Sequence, residues 1–273
     1  MPEKPEVVTV AKKLESELLM RRIVFCQVYW DNIIAYPSVE EFQRKIINQK
    51  IHSISTRGKF LVFLLDDYYL LIHLRMEGKF LFRGELDEVS KHEHVEMVLD
   101  NAVSWRYMDV RKFGKMYLFS KDEAFQEKPL SLLGMEYDDP LLTKRYLYDK
   151  IHSKKLPIKT VLLDQSILTG IGNIYANEIL YLCHIHPNRS ASKITLKNCD
   201  DIILQTRNLF YRAIELGGST IRSFTSSEGV HGSFQEELLV HGKEGSICSC
   251  GGIIKKTMIG GRGTYYCPKC QKK

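Results

Sequence analysis

Residues 1–14, MPEKPEVVTVAKKL, set how the chain enters its fold. Val7, Val10, Ala11, Leu14 and Leu18 fall at i, i+3, i+4, i+7 and i+11, one face of a helix that begins near Pro5. Ahead of that helix stand Pro2, Glu3, Lys4, Pro5 and Glu6, a rigid and partly charged cluster at a position that is usually frayed. Such a cluster needs a reason.

Downstream the pattern changes twice. Residues 22–120 carry short β-rich runs, among them RRIVFCQVYW (21–30), FLVFLL (60–65), AVSWRYMDV (102–110) and KMYLFS (115–120), broken by Asp, Asn and Gly turns. Strands so closely spaced predict a sandwich or a barrel. Beyond about residue 130 the apolar period is helical, in 142–153, 157–165, 174–185 and 196–216, with GIGN and LGGS as breaks. The expected fold class is α+β and multidomain: residues 1–130 an N-terminal helix plus β-domain, 131–240 helical, 241–273 a small C-terminal module.

Composition is that of a globular chain, with 44% hydrophobic and 26% charged residues, which argues against disorder. No apolar run reaches membrane-spanning length, and the first thirty residues carry acids and lack an apolar signal core, so the expectation is a cytoplasmic protein with no membrane partner. The net charge of +6 is unevenly placed. From Gly245 onward there is no acid, while Lys255, Lys256, Arg262, Lys269, Lys272 and Lys273 accumulate. That points to a polyanion such as nucleic acid, with a solvated, solubilising tail as the other reading.

Four of the seven cysteines lie in this basic segment, as Cys248 and Cys250 in CSC and Cys267 and Cys270 in CPKC. Two thiolate pairs sixteen residues apart match a β-hairpin zinc site; disulfides are the alternative, and a cytoplasmic chain disfavours them. His241 is a weaker candidate ligand. The first knuckle is C-x-C, where C-x-x-C is expected. On an extended strand its sulfurs would point to opposite faces, so they converge only if the backbone kinks at Ser249, a kink that Gly251 and Gly252 can absorb. Cys26, Cys183 and Cys199 read as core thiols.

The opening cluster has a chemical reading. Removal of the initiator methionine would leave Pro2 as a secondary α-amine. An α-amino group titrates near 8, so part of it is a neutral nucleophile at pH 7, able to attack an electrophilic carbon and form an iminium. A following helix N-terminus disfavours its protonation, while Glu3 and Glu6 favour it.

At this point the sequence resembles the bacterial formamidopyrimidine-DNA glycosylases, which excise oxidised purines. The motifs run the whole length: MPEKPEV, RGKFL (57–61), IHLRMEG (72–78), KHEHV (91–95), DVRKFG (109–114), GIGNIYANEIL (170–180), GGSTIR (217–222) and GRGTYYCPKCQ (261–271). The resemblance implies a β-sandwich, a helix–two-turn–helix domain and a zinc finger in that order. It implies one structural zinc ion and base-excision repair of double-stranded DNA by a bacterial monomer acting at the nucleoid.

It also implies roles. Pro2 attacks C1′ of the damaged nucleotide, Glu3 is the general acid, and Lys59 serves proton transfer and base handling, with Glu6 shaping the pocket. The Schiff base then permits β,δ-elimination. Met76, Arg111 and Phe113 match the family's inserted triad, which fills the space left by the extruded base. His92, Arg111, Lys154, Asn173 and Arg262 match DNA-binding positions, Arg262, at the hairpin tip, being counted with Pro2, Glu3 and Lys59 in the catalytic set, with His73 and Lys159 as weaker candidates. The stretch from GGSTIR through SSEGVHGS reads as a mobile loop over the flipped base. Lys4 stands where the family has an apolar residue, and its side chain is expected to point to solvent. Two other readings remain: an endonuclease VIII-like enzyme for oxidised pyrimidines, against which DVRKFG and GNIYANE weigh, and a non-catalytic zinc-finger DNA binder.

Overall fold

The computed structural model describes residues 1–84, 87–219 and 232–272. Contacts divide the chain into two compact units, Met1–Ser131 with Gly217–Ser233, and Leu132–Leu216 with Phe234–Lys273.

In the first unit, helix α1 (Lys4–Leu18) buries the face that its period predicts: Val7, Val10, Ala11, Leu14 and Leu18. It is followed by β1 (Ile23–Val28), β2 (Ile34–Tyr36), α2 (Val39–Ile46), β3 (Ser53–Arg57), β4 (Phe60–Leu64), β5 (Tyr68–His73), β6 (Lys79–Gly84), β7 (Glu93–Leu99), β8 (Val103–Met108) and β9 (Lys115–Ser120). The strands form two sheets, ordered β1-β7-β8-β6 and β2-β9-β5-β4-β3. All pairs are antiparallel except β2 with β9. Alternate residues of both sheets meet in one core, Val95, Met97 and Trp105 from the first and Leu61, Phe63, Leu70 and Met116 from the second. Phe63 and Trp105 touch across it at 5.3 Å between ring centroids. The architecture is therefore a sandwich, and the barrel alternative falls.

Helix α2 departs from the strand-rich expectation for residues 22–120. Its signals are local: Ser38 caps it by accepting Glu41 N–H at 3.3 Å, acids lie in its first turn, bases in its last, and Phe42 and Ile46 share the buried side.

The second unit holds α3 (Lys144–Ile151), α4 (Ile158–Leu162), α5 (Asn173–Leu182), α6 (Leu196–Glu215) and a hairpin of β10 (Lys255–Ile259) and β11 (Arg262–Tyr266). Helix α6 starts with a capping box in which Thr195 Oγ1 accepts Asn198 N–H at 3.1 Å. Glu178, on α5 and 1% exposed, anchors the approach to the hairpin. Its carboxylate accepts the backbone N–H groups of Leu239 (2.7 Å), Val240 (3.0 Å) and His241 (2.7 Å). Burial raises its pKa, and those three donors oppose the rise. Replacing Glu178 by Gln turns one acceptor into a donor facing an N–H. The expected cost is about 2 kcal/mol, read as a lower urea midpoint at unchanged slope.

Candidate active site and nucleic-acid interface

The N-terminal cluster is folded inward. Pro2, Glu3, Lys4 and Glu6 are all buried. Glu3 is the N-cap of α1, and its N–H donates to Glu6 Oε2 at 2.9 Å. The other Glu6 oxygen, Oε1, accepts both Ser219 N–H (2.9 Å) and Ser219 Oγ–H (3.0 Å). Gly218 makes this approach possible: its φ is +79°, and a Cβ there would lie 3.1 Å from the Glu6 side chain. Ser219 and Ser233 form an antiparallel bridge. The intervening residues 220–231, where a mobile loop is expected, lie outside the described residues.

Lys4 overturns its expectation. Instead of pointing to solvent, its ammonium donates to Thr56 Oγ1 (2.9 Å) and to Thr56 C=O (3.3 Å) at the end of β3. Thr56 stands three residues before Lys59, which occupies the turn between β3 and β4 beside Gly58 at φ +56°. Lys4 thus ties the start of α1 to the hairpin that carries Lys59. The amine at Met1 has a pKa lowered from 8.0, first by burial; Glu3, Glu6 and Glu77 oppose the shift, and Lys59 adds to it. Glu77 is an acid near this amine that the sequence reading passed over.

Two further loops of this unit meet at Tyr107. A Cβ on Gly78 would lie 2.2 Å from the Tyr107 hydroxyl, and one on Gly114 would lie 1.8 Å from it. Met76 precedes the first glycine, while Arg111 and Phe113 precede the second, so the proposed triad stands on loops locked to one phenol. Asp109, fully buried, shapes the second loop. It accepts Arg111 N–H at 3.0 Å, Phe113 N–H at 2.9 Å and Gly114 N–H at 2.8 Å. Arg111 and Phe113 remain exposed, with the guanidinium 4.8 Å over the ring centroid. Asp109 was legible in DVRKFG only as an acid within a motif.

His92 precedes β7, and its C=O accepts Asp109 N–H at 3.0 Å. Behind that turn, Arg106 is buried with Glu93 at 3.1 Å and Glu96 at 2.9 Å. His73 is buried too, edge-on to Phe60 at 4.7 Å, with Nδ1 accepting Arg75 N–H at 3.0 Å. Burial, helped by Arg75 and Lys59, lowers its pKa to about 3, so it is a neutral ring.

In the second unit, Arg262 is exposed at the start of β11, just after Gly260 (φ +55°) and Gly261 (φ +71°). Asn173 Nδ2, at the first turn of α5, donates to Gly263 C=O at 3.1 Å. Lys159 donates to the same carbonyl at 3.0 Å and to Thr264 Oγ1 at 2.7 Å. Lys159 is completely buried, with its ammonium engaged by the two residues that follow Arg262. Lys154 is half-buried after α3, and its C=O accepts Ser192 N–H at 2.9 Å.

The ligating atoms of Cys248, Cys250, Cys267 and Cys270 lie within 4.8 Å of one another. Cys248 and Cys270 stand 3.7 Å apart, and Cys250 and Cys267 stand 3.6 Å apart. A tetrahedral ion bound at about 2.3 Å requires sulfurs about 3.8 Å apart, so the four fit one zinc ion. The short knuckle converges because it is a turn and not a strand. Cys248 C=O accepts Gly251 N–H at 2.8 Å, Cys248 N–H donates to Gly252 C=O at 2.7 Å, and Gly251 takes φ +77°. His241 is occupied elsewhere, paired through Nδ1 with Asn177 at 2.7 Å.

Three family models match this chain: the N-terminal domain of formamidopyrimidine-DNA glycosylase over residues 1–116, the H2TH domain of the same enzymes over 133–225, and the zinc finger found in FPG and IleRS over 249–273. The chain belongs to the formamidopyrimidine-DNA glycosylase family. It is 43% identical over 273 residues to the formamidopyrimidine-DNA glycosylase of Bacillus cereus, covering 99% of each chain. Against that of Bacillus subtilis it is 42% identical over 275 residues, covering 100% of each. The fold superimposes on a point mutant of Lactococcus lactis FPG in complex with Fapy-dG containing DNA, with a TM-score of 0.93 at 34% identity and 100% coverage of both chains. A complex of the Lactococcus enzyme with abasic-site DNA gives 0.92 at 34% identity, covering 99% of this chain and 100% of the other. Membership makes this chain a DNA-repair glycosylase of the base-excision pathway with abasic-site lyase activity. No helix among the described residues is long and apolar enough to cross a membrane. The zinc-finger model begins at residue 249, one residue after the displaced Cys248.

The Tyr107 contact gives a sharp test. Gly114→Ala would push the second loop off the phenol, since the hydroxyl stands where the methyl must go. Affinity for lesion-containing duplex is expected to fall at least tenfold, with far-ultraviolet circular dichroism unchanged; full affinity would show that the loop does not position Arg111 and Phe113.

Proposed function

We propose that this chain removes oxidised purines, 8-oxoguanine and formamidopyrimidines, from double-stranded DNA and opens the resulting abasic site by β,δ-elimination through a Schiff base on Pro2. One observation carries the reading: Pro2, Glu3 and Glu6 are buried at the start of α1, and the amine just ahead of them has its pKa lowered by burial, with Lys59 adding to the shift and Glu3, Glu6 and Glu77 opposing it. Removal of Met1 would put the Pro2 nitrogen in this environment as a secondary amine, a larger fraction of it neutral at pH 7 than an exposed amine would have. The neutral nitrogen attacks C1′, and Glu3 supplies the proton that the ring oxygen or the leaving base requires. The iminium acidifies the C2′ proton, and successive eliminations cut the backbone on either side. Lys59 lies on the turn next to Thr56, which Lys4 clasps, so its ammonium is held near the same amine.

Recognition is divided between the units. Met76 and Phe113 would wedge into the stack and Arg111 would pair with the orphaned base, at a cost of a few kcal/mol for unstacking. His92, Lys154, Asn173 and Arg262 would contact phosphates, as would Arg111 beside its pairing role. His73, neutral and buried, would act by shape or hydrogen bonding. In this reading residues 1–130 are catalytic, 131–240 bind DNA, 241–273 form the finger, and the enzyme works as a cytoplasmic monomer.

Base release from duplexes carrying 8-oxoguanine, thymine glycol or uracil separates the readings: preference for 8-oxoguanine is expected, preference for thymine glycol would indicate the pyrimidine-directed alternative, and no release would indicate a binder. Cyanoborohydride should link the protein covalently to damaged DNA through Pro2, and an adduct mapped to Lys59 would sink the assignment. Glu3→Gln should bind lesions but release little base. Because the amine pKa is lowered, the trapping rate should rise with pH through a midpoint below 8.0. A limb centred above 8 would overturn the role given to burial. If about five phosphates are contacted, log K should fall against log[salt] with a slope near −4 to −5.

A further inference from the structure

Helix α5 touches the cysteine module at three levels along its length. At its first turn Asn173 holds Gly263 C=O at 3.1 Å; in its middle Asn177 and Glu178 hold residues 239–241; near its end the Tyr181 hydroxyl lies 3.1 Å from Cys248 Sγ and 3.4 Å from Ser249 Oγ. The first two contacts dock backbone and the His241 ring. The third reaches a metal-ligand atom, and it reaches the one cysteine whose spacing is irregular.

A cysteine bound to zinc is a thiolate, with no proton to give. The phenol must then be the donor, and a charge-assisted hydrogen bond to sulfur results. We propose that Tyr181 is an outer-sphere support of the zinc site: its O–H donates to the Cys248 thiolate and holds that sulfur in the position the C-x-C turn requires. Two consequences follow. The bond withdraws charge from the sulfur, which slows its protonation and loss of the ion. It also makes the far end of α5 sense whether the metal is bound, while the near end of that helix, about 12 Å away by its rise, holds the residue next to Arg262. Tyr181 also packs against the buried cluster formed by Val240, Cys248, Ile254 and Cys267, so mere packing is the competing explanation, and phenylalanine would satisfy it.

Tyr181→Phe in the full-length zinc-loaded protein separates the two. Zinc release to a chelating dye with excess EDTA should be about tenfold faster than in the unaltered protein, within the 10- to 100-fold range of outer-shell changes. In cobalt-substituted protein the thiolate-to-cobalt charge-transfer band should move to lower energy, because the sulfur becomes the better donor; packing alone would not move it. Ser249→Ala serves as the control for the weaker contact and should leave both readouts near those of the unaltered protein. Release within twofold of the unaltered rate with an unmoved band would overturn the proposal, as would equal effects from Ser249→Ala. Metal analysis of the unaltered protein that found no zinc would overturn the zinc site itself, independently of Tyr181.

Discussion

A carboxylate taken out of water must be met by donors, and backbone N–H groups are the nearest supply. Three buried acids of this chain use that constraint, and each one fixes a segment that carries function. Glu6 gathers the N–H of Glu3 and the N–H and hydroxyl of Ser219. Asp109 gathers three N–H groups of the loop that presents Arg111 and Phe113. Glu178 gathers three more on the way to the zinc module. A loop so held pays its ordering cost within the folded protein and not when DNA arrives, which is what a site of defined geometry needs.

Glycines complete the same design by subtraction. Gly78 and Gly114 leave room for one phenol, and Gly218 lets the chain pass within van der Waals reach of Glu6. At each of these a methyl group would displace either an anchoring side chain or the loop. Arg111, Phe113 and Arg262, which are proposed to contact DNA, stay exposed on segments that buried neighbours hold in place.

The zinc module shows how a departure in sequence can be absorbed. The lost residue of the first knuckle is compensated by a tight turn closed by Gly251 and Gly252, so the sulfurs keep tetrahedral spacing. Lys4 is absorbed differently: a charged residue in an apolar position finds a hydroxyl and a carbonyl at the end of β3.

By itself the sequence determined the order of parts, the buried face of α1, the strand-rich and helical stretches and the four-cysteine site, because periodicity and ligand spacing are local properties. The motifs also carried the family and hence the roles expected of Pro2, Glu3 and Lys59. Strand spacing alone left sandwich and barrel open, and the motifs chose the sandwich; the sequence did not determine that Lys4 turns inward, that Lys159 is buried against the strand that carries Arg262, or that Asp109, Glu77 and Tyr181 stand where they do. Those depend on partners dozens of residues away: Thr56 for Lys4, Gly263 for Lys159, Cys248 for Tyr181. A side chain's polarity states only that it needs a partner. Which partner it meets is decided by the packing of elements whose separation in the chain carries no record of their distance in space.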